Sequence, residues 1–109
     1  MNRYLLIESR DPFESSDTHF VAELASDLQT SGNAVTVFLV QNGVLAARKK
    51  ARGSSLTQLI EGGVTVLADD FSLRERGIAA GDLTAGVRES SIDTVVEMLV
   101  DQNAKALWH

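Results

Sequence analysis

The sequence predicts an α/β fold, a three-layer α/β/α sandwich around a mostly parallel sheet of four to five strands, in a single domain over residues 1–109. Three observations carry this reading. The runs Tyr4 to Glu8, Ala34 to Val40 and Val64 to Ala68 are almost unbroken apolar stretches, the pattern of parallel strands covered on both faces. Segments with helical apolar spacing lie between them. A chain of 109 residues buries one core and has no room for a second.

Taken in order, Tyr4 to Glu8 is the first strand, and Arg10-Asp11-Pro12 opens a loop because proline holds the preceding residue extended. A helix is expected from about Asp17, with Phe20, Leu24 and Leu28 at four-residue steps and Val21 and Ala25 beside them; Gly32-Asn33 ends it. Ala34 to Val40, β-branched and aromatic, is the second strand and completes a right-handed β-α-β unit. A short helix is expected from Val44 to about Lys50. Ser55 and Gln58 have capping-box spacing for the next one, which presents Leu56, Leu59 and Ile60 and stops at Gly62-Gly63. Val64 to Ala68 is the third strand, followed by one helical turn in which Ser72 and Glu75 repeat the capping spacing and Gly77 closes. Ile78 to Gly86 reads as a mobile loop of small residues and Val87 to Glu89 as a short fourth strand. Ile92 to Gln102 is a helix with Ile92, Val95, Val96 and Leu99 on its apolar side and Ser90 or Ser91 as cap. Ala104 to His109 is a final strand.

Composition narrows the function. Hydrophobic residues at 44% and charged residues at 23% describe an ordinary soluble globule. A net charge of −5 argues against a general nucleic-acid binder, which needs a basic face to neutralise phosphate. The apolar run after Met1 is too short for a signal peptide or a membrane span, so a cytoplasmic protein with no membrane partner is expected. The chain has no cysteine, which excludes a disulfide framework, a thiolate zinc site and a cysteine nucleophile. His19 and His109 stand far apart with no ligand spacing, and no cofactor motif follows the first strand. His19 is expected at the surface and His109 at a fraying end.

Chemistry in an open α/β sheet gathers past the carboxyl ends of the strands, where Asp69 and Asp70 follow the third strand. Carboxylates there suit a metal, a phosphoryl group or a proton; equally, Asp70 can cap the following turn. Gln41-Asn42-Gly43 follows the second strand at the same edge and offers two side-chain amides, though as a turn it needs no further role. Arg48, Lys49, Lys50 and Arg52 concentrate positive charge, either as a helix end that complements the carbonyl dipole or as a docking patch for an acidic partner.

The segment Phe38-Leu39-Val40-Gln41-Asn42-Gly43-Val44, together with Asp69 followed eight residues later by Gly77 and with Arg76 before it, resembles the DsrE/DsrF/DsrH (TusD-like) sulfur-relay family. The position matched by Asp69 is, in that family's active members, a cysteine that carries a persulfide. A carboxylate cannot carry sulfane sulfur. The resemblance therefore implies a non-catalytic or accessory member: a homo-oligomer, trimeric or hexameric, that binds a partner protein or small ligand through Gln41, Asn42, Gly43, Asp69, Asp70 and Arg76. A cysteine-bearing homologue or sulfur carrier is the partner implied. The alternatives are a receiver-like phosphoacceptor domain, with Glu8 and Asp11 joining Asp69 in an acidic pocket, and a small metal-dependent hydrolase using Asp69 and Asp70.

Overall fold

A computed structural model describes residues 1–11, 18–49, 51 and 56–109. The chain runs β1 (Arg3–Glu8), α1 (Thr18–Thr30), β2 (Ala34–Leu39), a 3₁₀ segment (Gln41–Ala47), α2 (Leu56–Glu61), β3 (Thr65–Asp69), α3 (Asp70–Glu75), a 3₁₀ turn (Ala80–Asp82), β4 (Arg88–Ser90), α4 (Ile92–Val100) and β5 (Lys105–Trp108). The sheet has five strands in the order β4-β3-β2-β1-β5, and every pairing is parallel. The expected fourth strand exists, shifted by one residue. Among the described residues no helix is long and apolar enough to cross a membrane.

Unbroken apolar runs are explained by the two apolar clusters they serve, one on each face of the single sheet. Leu6, Val35, Val37, Leu39, Val66 and Ala68 point to one face of the sheet, where α1, α2, α3 and the 3₁₀ segment supply Val21, Ala25, Leu56, Leu59, Leu73 and Val44. The intervening Leu5, Ile7, Phe38 and Leu67 point to the other face, covered by Val95 and Met98 of α4. This unequal cover follows from strand order. β1 to β4 are laid down in one direction, whereas β5 returns to the free side of β1, so a right-handed crossover carries α4 to the opposite face. The order thus reverses between β1 and β5.

Several side chains depart from the sequence-based expectation. On α1, Val21 and Ala25 are the buried pair, while Phe20 is 55% exposed. On α4, Val95 and Met98 face the sheet, and Ile92, Val96 and Leu99 lie on an exposed flank with Val100; helical spacing marks a broad apolar arc without saying which part of it the sheet covers. This helix ends at Val100 rather than Gln102, and its cap is Ser91, whose hydroxyl accepts from the Asp93 N–H. The helix expected from Val44 is a 3₁₀ segment that starts three residues earlier. The loop after Gly77 is pinned: Leu83 is buried and pairs with Arg48, and Thr84 N–H donates to the Ala47 carbonyl at 2.7 Å.

Candidate functional site at the carboxyl edge of the sheet

Adjacent parallel strands end at the same level, so the residues that follow β2 and β3 are neighbours by construction. β3 delivers Asp69 as its last residue, 6% exposed. Asp69, not Ser72 or Asp70, is the N-cap of α3: its Oδ2 accepts from the Ser72 N–H at 3.0 Å and from the Ser72 hydroxyl at 2.6 Å. Asp70 occupies the first turn instead, where its charge suits the positive helix end, and it lies 3.8 Å from Arg74 in a solvent-exposed pair.

Ser72 is the residue that the sequence reading missed as a connector. Its buried hydroxyl, while donating to Asp69, accepts the Gln41 N–H at 2.8 Å and so ties the end of β3 to the segment after β2. The Asp69-x-x-Ser72 spacing at a strand-to-helix junction was the available signal, because it is the spacing of a side-chain cap. Gln41 holds a φ of 54°, an unusual value for a residue with a side chain, and its N–H is thereby aimed at Ser72.

One residue further on, Asn42 Oδ1 accepts two bonds from the Arg76 guanidinium, at 3.2 Å from Nε and 2.9 Å from Nη2. Arg76 Nη1 also donates to the Ser72 carbonyl at 3.2 Å. Gly43 is buried, and its role is space rather than flexibility: a β-carbon there would overlap the backbone carbonyl oxygen of Glu8 at the end of β1. Gln41, Asn42, Asp69 and Arg76 therefore form one hydrogen-bonded network, with Gly43 packed beneath it and Asp70 at its margin.

Arg48 and Lys49 make their described bonds outside this network. Arg48 donates from Nε to the Leu45 carbonyl at 2.9 Å, closing the 3₁₀ segment, and the Lys49 N–H donates to the Asp82 carbonyl at 2.8 Å. Lys50 and Arg52, named with them as docking candidates, lie outside the described residues, as does the proposed cap Ser55.

The acidic-pocket alternative requires Glu8 and Asp69 to converge. In receiver domains the first and third strands are adjacent, in the order 2-1-3-4-5. Here β2 separates β1 from β3, which puts their ends two strand spacings, about 10 Å, apart. Glu8 is engaged elsewhere: both its carboxylate oxygens lie within 3.1 Å of His109 Nδ1, and Oε1 also accepts the Arg10 N–H at 2.9 Å. His109 is accordingly fixed rather than fraying. Its N–H donates to the Ile7 carbonyl at 2.7 Å, and its carbonyl accepts from the Ser9 N–H and hydroxyl, each at 3.0 Å.

A fully parallel sheet with the β3-to-α3 junction at its carboxyl edge defines a class of small α/β domain, and the family follows. The chain belongs to the DsrE/DsrF-like family, whose model matches residues 2–105. Among solved structures it is similar to a protein of unknown function from Methanobacterium thermoautotrophicum, with a TM-score of 0.86 and 20% identity over all of both chains. The ychN protein from E. coli gives 0.82 and 22%, again over all of both chains. A conserved protein of unknown function from Bacteroides thetaiotaomicron gives 0.79 and 18%, covering 99% of this chain and 95% of its own. No curated protein shows significant sequence similarity to the chain.

Proposed function

We propose that this chain is a non-catalytic, accessory DsrE-like subunit in sulfur-relay metabolism, a homo-oligomer that binds a partner protein or small ligand at the Gln41, Asn42, Asp69 and Arg76 edge. One observation carries the reading: Asp69, which the resemblance matches to the family's thiol position, is a carboxylate bound into a helix cap and the Ser72 hydroxyl, in a chain without cysteine. Sulfur relay proceeds by attack of a thiolate on sulfane sulfur, and Asp69 offers neither the nucleophile nor a stable adduct. What remains at the edge is a surface for recognition. The Gln41 and Asn42 side chains are exposed, with Arg76 held beside them. The exposed flank of α4, together with Leu107 at 41% and Trp108 at 61% exposure on β5, supports assembly.

The test is incubation with a persulfidated donor protein followed by intact-mass measurement, together with capture of a cysteine-bearing homologue or sulfur carrier on the wild type and on Arg76→Ala. The expected result is an unchanged mass and a capture that Arg76→Ala weakens. A stable added sulfur atom overturns the non-catalytic reading, and capture indifferent to Arg76→Ala overturns the assignment of the edge. Sedimentation of a clean monomer at micromolar concentration would count against the oligomer.

A further inference from the structure

The strand order reverses between β1 and β5, and ligands of open parallel sheets settle in the crevice at such a reversal. In this chain that position is held by Glu8 and His109, on the far side of β1 from the Asp69 network. Glu8 is 5% exposed and sits with its carboxylate 2.9 and 3.1 Å from His109 Nδ1. A carboxylate oxygen accepts hydrogen bonds, so in this contact Nδ1 is the donor. The ring's exchangeable position is therefore Nε2, for which no hydrogen-bond partner exists among the described residues. The ring is 16% exposed at its side chain, and the exposed Phe20 stands 6.0 Å from it, centroid to centroid. A base oriented by a third group is one part of the arrangement by which enzymes activate a nucleophile, the nucleophile here having to come from a ligand.

We infer that Glu8 and His109 form a second site, a carboxylate-oriented imidazole that takes the proton of a thiol-bearing ligand lying against Phe20. Thiols are the class chosen because their ordinary acidity lies within reach of an imidazole, whereas that of alcohols does not. The step is a proton transfer alone. The S–H bond breaks, its electron pair stays on sulfur, the proton goes to Nε2, and the thiolate remains beside an imidazolium that Glu8 stabilises through Nδ1–H. Arg10 and the buried Asp11 follow Glu8 and are the nearest charged residues in sequence. This inference is independent of whether the Asp69 edge binds a partner.

The probe is thiophenol, whose thiolate has its own ultraviolet band. With the wild-type protein, the thiolate band should develop at lower pH than in buffer. His109→Asn keeps an N–H donor for Glu8 but has no basic nitrogen; it should abolish the shift while leaving the circular dichroism spectrum and thermal midpoint as in the wild type. Phe20→Ala should weaken probe binding, and His19→Asn should change nothing. Imidazole nitrogen resonances of the wild type supply a readout that needs no variant: His109 Nε2 should move from the unprotonated to the protonated position on probe addition. No excess thiolate with the wild type, an equal excess with His109→Asn, or an Nε2 resonance indifferent to the probe would each overturn the site.

Discussion

Asp69 and Glu8 are both acids on the last residue of a buried parallel strand, both nearly sealed from solvent, and both at the carboxyl edge of one sheet. Their surroundings differ. Asp69 accepts from the first turn of α3 and from a serine hydroxyl, neutral groups supplied within three residues of its own chain. Glu8 accepts from a histidine 101 residues away, which directly follows the strand laid down last. The first carboxylate is used to begin a helix and to align the β2 and β3 loops. The second closes the sheet's reversal point and holds an ionisable ring. Identical chemistry at equivalent strand ends therefore becomes a local structural part in one place and a long-range polar contact in the other, and the difference lies in whether the next element is a helix turn or a distant strand.

Gly43 touches both regions and should give the largest effect. It stacks on the Glu8 backbone and follows the two residues that join the Asp69 network, so Gly43→Ala has to push one loop away from the other. Overpacking of this kind, against backbone rather than a side chain, should cost about 3 kcal/mol in urea unfolding. It should also move the amide resonances of both sites together. If only one site responds, the two edges are mechanically separate.

Glu8→Ala comes next, because it strips the acceptor from the Arg10 N–H and from the His109 ring in a buried setting. A loss of about 2 kcal/mol is expected by chemical denaturation, with faster hydrogen exchange along β5; Glu8→Gln, which keeps an acceptor, should lose less than half as much. Equal losses in the two variants would mean that charge, not hydrogen bonding, fastens β5.

Asp69→Ala should cost about 1.5 kcal/mol, the sum of a lost cap and an unpaired Ser72 hydroxyl, while Asp69→Asn should be close to neutral because an amide oxygen can accept both bonds. A large loss in Asp69→Asn would show that the negative charge itself matters at this edge, and would make Asp69 more like Glu8 than the geometry indicates. The smallest effect belongs to Arg76→Ala. Its bonds to Asn42 are exposed to water, so stability should change by about 0.5 kcal/mol or less even where partner capture is lost.

The amino-acid sequence by itself determined the strand runs, the β-α-β order, the absence of any sulfur nucleophile and the placing of Gln41, Asn42, Asp69 and Arg76 at one edge, because each follows from local patterning and from the rule that parallel strands end together. Only the tertiary structure decided which part of each apolar arc is covered. Phe20 on α1 and Val96 on α4 fit the helical spacing as well as Val21 and Val95 do, and the choice is made by the angle at which each helix meets the sheet. Only the tertiary structure joined Glu8 to His109, since the connection from β4 through α4 crosses the sheet to set β5 on the free side of β1 and nothing near either residue encodes that meeting. Asp69 shows the intermediate case: the Asp69-x-x-Ser72 spacing is written in the sequence, but β3 had to end at Asp69, rather than at Ala68, for that carboxylate and not its neighbour to become the cap.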